Sequence, residues 1–339
     1  MNISLIIEML KPFFKRANAF SLIQKRFPLD YIIPVYHSVA DSYLPHLKHI
    51  INYKSSLEFE KDLDYMSTLF NFVDLQTFIK NHDKKINKPY ALLTFDDGYN
   101  EFRDIIVPIL LRKGIYAINY INPAFIKNDD MMFRLKVSLI VERILNKDFM
   151  TPDSLLKLLM LSNNTSKKDL IAKVKAISYT NRHLLNQISI DINLSFDDYL
   201  KNNKIYLNID DLQYIQDKGF GISAHSWDHP YLPELSINDQ IKNIQRSIDF
   251  MEENGFSTDS MAFPFTDFGL KRSMFNTLFE DNQNLKFTLG TAGLKFDSVD
   301  KNLQRVPMEN GFSAADEINF ESNYFHLKKI FNKNKITRR

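Results

Sequence analysis

The chain has 339 residues, 44% hydrophobic and 25% charged, with 43 Lys+Arg against 41 Asp+Glu for a formal net charge of +2. That length holds one large domain or two ordinary ones, the composition excludes disordered, collagen-like and coiled-coil chains, and the balanced charge argues against nucleic acid as the main partner. Cysteine is absent, which removes disulfide frameworks, thiolate zinc sites, iron–sulfur clusters and cysteine nucleophiles together and leaves His, Asp and Glu as metal ligands.

Residues 1–28 read as an amphipathic helix. Its apolar run is interrupted by Glu8, its cations follow the run, and no small-residue cleavage site comes after it, so it is not a signal peptide by pattern. No stretch approaches the roughly 20 apolar residues that span a bilayer. A cytoplasmic location is therefore expected. The apolar face beside Lys11, Lys15, Arg16, Lys25 and Arg26 suits either packing on its own domain or peripheral contact with an anionic membrane.

Downstream, short apolar runs alternate with helical patterns, the signature of βα units around a parallel sheet and hence of the α/β class. Tyr31 to Tyr36 predicts a first strand and Leu57 to Phe70 a helix. Tyr90 to Phe95 predicts a strand that is apolar on both faces, as a buried parallel strand should be, and it runs into Asp96-Asp97-Gly98. Glu101 to Lys113 predicts a helix stopped by Gly114, followed by a strand over Ile115 to Ile121. From about 131 to 203 the alternation breaks into helices alone, over Leu135 to Leu145, Ser154 to Leu161, Lys167 to Ile177 and Asp197 to Lys201. Such an insertion forms either a lid or wall over the site or an excursion with no role there. Ile209 to Lys218 is a helix, Phe220 to Ala224 a strand, and Ser236 to Glu253 a helix with an N-cap serine. Met261 to Phe265, Lys286 to Leu289 and Leu303 to Val306 are later strands, and Ser313 to Phe331 a terminal helix. The basic stretch from Lys328 to Arg339 reads as a solvated terminus, with contact to anionic, phosphate-bearing lipid or membrane surfaces as the alternative.

Two strand ends carry the chemistry, Thr94-Phe95-Asp96-Asp97-Gly98 and His225-Ser226-Trp227-Asp228-His229. Adjacent carboxylates raise each other's pKa unless a cation neutralises them, so a metal or a proton is expected there. The i, i+4 spacing of the two histidines places both on one side of a helical turn. Asp97, His225 and His229 then form a three-ligand site with an open position for water, and Asp96 is left free to act as a base. Trp227, between the histidines, either packs behind them or faces the ligand.

These residues resemble the polysaccharide deacetylases, the NodB-homology or carbohydrate esterase family 4 proteins. Thr94 to Gly98 is similar to the family's first motif, His225 to His229 to its second, and Met261 to Phe265 falls at the third. Pro34 to Ser38, the helix from Phe59 to Tyr65, and His229 to Ser236 extend the resemblance over residues 29–339. Leu44 to His49, Phe133-Arg134-Leu135-Lys136 and Gln304 to Glu309 resemble a subgroup of the Bacteroides and Flavobacterium type. The resemblance implies a distorted (β/α)7 barrel and hydrolytic removal of an N- or O-linked acetyl group from a carbohydrate, such as a cell-surface polysaccharide or glycolipid precursor. It implies one divalent ion, zinc first with cobalt, nickel or manganese as alternatives, held by Asp97, His225 and His229 beside the base Asp96.

Two departures stand out. The family's late histidine acid has no obvious counterpart, since His326, the only histidine after His229, falls in the terminal helix and is expected at the surface. The replacements are His37, His46 and His49, of which His37 follows the first strand most closely, or Asp96 itself returning its proton. The third motif also lacks its arginine, so Arg305 is expected to orient Asp96, with Glu309 holding Arg305. Two other functions remain open: a metal-dependent amidohydrolase acting on a non-sugar C–N bond, and a catalytically silent sugar-binding module.

Overall fold

A computed structural model of the chain describes residues 27–338. Residues 1–26 of the expected N-terminal helix, with its cations, lie outside the described residues.

Eight parallel strand segments form one sheet: β1 (Pro34–Tyr36), β2 (Leu93–Asp97), β3 (Ala117–Ile121), β4 (Gly221–Ala224), β5 (Ser260–Ala262), β6 (Phe287–Gly290), β7 (Asn302–Gln304) and β8 (Val306–Pro307). Each pairs with the next in chain order up to β6 with β7, while β8 pairs back with β1. Segments β7 and β8 are separated only by Arg305, whose N–H donates to the Gly290 carbonyl while that of Val306 donates to Ile33. They are two halves of one stave, so the nearly closed barrel has seven staves, and its seam lies at Arg305.

Every residue of β2 and β3 is buried, and alternation sorts them by face. Leu93, Phe95, Ala117 and Ile121 join the core between barrel and helices. Leu92, Ile118 and Tyr120 pack with Ala262, Leu289 and Leu303 in a separate apolar cluster. By the same alternation Thr94 and Asp96 share the face of Leu92, and Arg305 that of Leu303, which directs a carboxylate and a guanidinium into the barrel.

After β1 come a single helical turn, Pro45–Lys48, and then the helix Ser56–Leu69, opened by a Ser55–Glu58 capping box. The expected helix after β2 begins instead with a π-helical turn, Phe102–Ile106, before Val107–Lys113, and it stops at Gly114 in the left-handed region. Between β3 and the helix Ile209–Asp217 that leads into β4 stand the five α-helices of the insertion, Phe133–Leu145, Asp153–Leu158, Lys167–Lys175, His183–Asp191 and Phe196–Asn202, packed on a core of their own that includes Leu135, Ile140, Leu170 and Ile188. The fourth was not expected, although Leu185, Ile188 and Ile192 stand at the i, i+3, i+7 spacing that marks a buried helical face.

The terminus differs from expectation. Lys335–Ile336 pairs in parallel with Phe296–Asp297, and the guanidinium of Arg338, buried, binds Asp297 and Asp267. Lys328 is also buried and donates to the Leu294 carbonyl. A buried cation needs a counter-charge or a hydrogen bond, and the two aspartates supply it for the end of the chain.

Candidate metal centre and active site

Alternation along β2 would send Asp97 to the face opposite Asp96. The backbone prevents this: Asp97 has φ 74° and Gly98 φ 70°, so the chain turns through the left-handed region at the strand end and both carboxylates serve one site. Aspartate tolerates that region better than most side chains, at a cost of about 1–2 kcal/mol. Glycine is needed next, because a Cβ at Gly98 would stand 2.9 Å from the Ile121 side chain.

Asp96 is gripped by Arg305, Nη1 to Oδ1 at 2.6 Å and Nη2 to Oδ2 at 2.7 Å, with both side chains buried. Burial pushes the Asp96 carboxyl up, but the guanidinium outweighs it and brings the pKa down to about 2. Asp96 is therefore ionised and fixed in orientation by a bidentate pair.

Asp97 has no such partner. Burial raises its pKa, and its Oδ1 is buried with no hydrogen bond. Oδ1 stands 3.5 Å from His225 Nε2 and 3.4 Å from His229 Nε2, and a ligand atom of each residue lies within 4.8 Å of the others. Four ligands about 2.0–2.1 Å from an ion in a tetrahedral array stand about 3.4 Å apart. Burial lowers the pKa of both histidines, so both are neutral, as ligation requires. His225 Nδ1 lies 2.9 Å from the Ala262 carbonyl. A carbonyl only accepts, so Nδ1 carries the proton and Nε2 presents its lone pair. The donor set fits a divalent ion.

The histidine segment corrects the expected helical turn. After β4 the chain forms a loop in which Ser226 has φ 66° and His229 φ 56°, and these left-handed positions bring the two rings together. Side chains unmarked by any motif hold the loop. Asn122, one residue beyond β3, donates to the carbonyls of His225 at 2.5 Å and Ser226 at 3.2 Å. Asn243 accepts from the Trp227 N–H at 2.9 Å and donates to Asp228 at 2.7 Å, and the Tyr179 hydroxyl of the insertion donates to Asp228 at 2.6 Å. The sequence signal for Asn122 is its position, a polar residue at the C-terminal end of an apolar strand. Trp227 is half-buried, with the Arg246 guanidinium 3.5 Å from its ring centre.

Glu309 does not hold Arg305 as expected. It accepts from the backbone N–H groups of His37 and Ser38 at 2.9 and 3.1 Å, and its Oε2 lies 2.6 Å from His37 Nδ1. Burial disfavours the imidazolium of His37, but Glu309 outweighs it and raises the pKa to about 9. The His37 side chain is 30% exposed and lines a cavity of about 480 Å³ together with Asp96, Asp97 and His229. The other two acid candidates lie elsewhere: His46 meets the Tyr199 hydroxyl at 2.9 Å and is driven down to about 4 by burial, and His49 pairs with Glu142 at 2.7 Å. His326 is half-buried on helix Ala314–Ile330, away from this cavity.

A family model described as polysaccharide deacetylase matches residues 174–270, the stretch that contains β4, the histidine loop and β5. No curated protein matches the chain. Among solved structures, a Streptococcus pyogenes deacetylase, PplD, in complex with acetate has a TM-score of 0.52 at 14% identity, covering 86% of this chain and 97% of that one. IcaB from Ammonifex degensii has a TM-score of 0.53 at 12% identity, covering 88% and 100%. A de-N-acetylase from Aggregatibacter actinomycetemcomitans has a TM-score of 0.50 at 15% identity, covering 85% and 99%. The barrel is thus the deacetylase fold, with a polysaccharide deacetylase match over its histidine motif.

Proposed function

We propose that the protein is a metal-dependent hydrolase that removes an N- or O-linked acetyl group from a carbohydrate, a cell-surface polysaccharide or glycolipid precursor. One observation carries the reading: a buried Asp97–His225–His229 donor set stands beside an ionised carboxylate, Asp96, that a buried arginine holds in place. Binding a sugar requires neither. Zinc is the first candidate for the ion, with cobalt, nickel and manganese as alternatives.

The ion, when bound, supplies Lewis acidity, polarising an acyl carbonyl and lowering the pKa of water toward neutrality. Asp97, His225 and His229 hold it. Asp96 takes the proton from water as the oxygen attacks the acyl carbon, and Arg305 keeps that carboxylate from turning away. His37, protonated at neutral pH through Glu309, delivers a proton to the departing nitrogen or oxygen as its bond to the acyl carbon breaks. Acetate and the free amine or hydroxyl are the products.

The first test is metal content. Purified wild-type protein is expected to carry about one divalent ion per chain, the number a single His2Asp site holds, and His225→Ala to lose both the ion and acetate release from acetylated oligosaccharides. A wild type that takes up no ion after loading would overturn the reading. The acid is tested through its partner. Glu309→Gln removes the charge that keeps His37 protonated, so the alkaline limb of the kcat/KM profile is expected to move to lower pH. An alkaline limb left in place would remove His37 from the acid role.

A further inference from the structure

The cavity over the donor set contains a cation that the mechanism does not use. Arg134, at the start of the insertion helix Phe133–Leu145, lines it together with His37, Asp96, Asp97 and His229. The other cations of the site are matched, Arg305 by Asp96 and His37 by Glu309. Arg134 pairs with no carboxylate among the described residues: its one hydrogen bond runs from Nη1 to the Lys175 carbonyl at 2.9 Å, at the end of helix Lys167–Lys175. It is half-buried, and burial, with no acid opposing it, pulls its pKa below the usual arginine value. The neighbouring wall is apolar, made by Ile50, Ile51, Met132 and Phe265.

A partly desolvated guanidinium whose polar contacts end at one carbonyl, with the Phe133 ring centre 5.9 Å away, is an incomplete arrangement, because burying an uncompensated charge is costly. A guanidinium carries five N–H donors in a rigid fork that matches the paired oxygens of a carboxylate or phosphate, and apolar surroundings strengthen such a contact. We infer that Arg134 selects for substrates that carry an anionic group, a phosphate or a carboxylate, on or next to the acetylated sugar. This rests on the deacetylase reading and narrows it to acidic glycans or sugar phosphates. The carbonyl cap alone would be a structural reason for Arg134, and it uses one donor of the five.

The test uses the full chain loaded with zinc, titrated calorimetrically with three sugars that cannot turn over because they lack the acetyl group: glucosamine 1-phosphate, glucosaminuronic acid and methyl glucosaminide. The wild type is expected to bind one or both charged sugars at least about tenfold more tightly than the neutral one, and the favoured one identifies phosphate or carboxylate. Arg134→Gln, which retains a donor for the Lys175 carbonyl, is expected to erase the preference, and Arg134→Lys to keep part of it. Equal affinities in the wild type, or a preference that survives in Arg134→Gln, would overturn the inference. If melting curves show that Arg134→Gln does not fold, the Arg134→Lys variant decides, since loss of the fork must cut the preference, and an undiminished preference counts against the proposal. Failure of the underlying reading is a separate result: no acetate released by the zinc-loaded wild type from any acetylated sugar, charged or neutral.

Discussion

Asp96→Asn is expected to lower acetate release by about 10²–10⁴-fold, the range a positioned general base contributes, with the divalent ion still bound. Asparagine keeps the shape of the side chain but offers the attacking water only a weakly basic amide oxygen. The proposed ligand atoms belong to Asp97, His225 and His229, so metal analysis of the same sample should match the wild type. Loss of the ion together with activity would mean that Asp96 is itself a ligand, and retained activity would remove it from the mechanism. His225 Nε2 lies 3.6 Å from Asp96 Oδ2 and 3.5 Å from Asp97 Oδ1, so the two carboxylates are close enough for this measurement to be needed to separate their roles.

The second large effect concerns Arg305. Arg305→Met is expected to destabilise the protein by about 3–5 kcal/mol at pH 7, the cost of leaving a buried charge without its partner. The pH dependence identifies the cause. In the wild type the folded-state pKa of Asp96 is about 2, below the ordinary 3.8, so its contribution to stability is present above about pH 4 and is lost as pH falls toward 2. With the guanidinium gone, burial, the largest influence on that carboxyl, is opposed only by His225 and His37 and is expected to raise the pKa above the unfolded value, so the variant loses stability as pH rises from about 4. Urea unfolding in the presence of a chelator should therefore show a larger deficit at pH 7 than at pH 4. Equal deficits would assign the loss to packing rather than to charge.

Much of this site is legible in the chain because strand ends announce themselves. The apolar run before Asp96 and the run before His225 mark buried strands, and in parallel βα folds functional residues gather at their C-terminal ends. Arg305 falls within the late predicted strand Leu303 to Val306, and the missing arginine of the third motif, rather than an apolar run, singles it out. What the chain does not display is backbone geometry. An i, i+4 pair of histidines suits a helical turn and also a loop that passes twice through left-handed space, and only the structure distinguishes them at Ser226 and His229. Long-range partners are hidden for another reason. Glu309 lies 272 residues from His37, and no local pattern connects two residues that meet only when the barrel closes. The five-helix insertion shows in the chain as missing strands, but Arg134's share in the cavity depends on how that insertion packs.

The seam of the barrel bears on how the protein is made. Synthesis runs from the N-terminus, so Asp96 emerges 209 residues before the arginine that neutralises it. That arginine sits where the final stave passes from hydrogen bonding with Gly290 to hydrogen bonding with Ile33, and closing the ring and fixing the carboxylate are therefore a single event. A nascent or truncated chain that stops before this stave has Asp97, His225 and His229 but no arginine to orient Asp96. On the proposed function, hydrolytic competence arrives only with the completed fold, and an unfinished chain is expected to release no acetate.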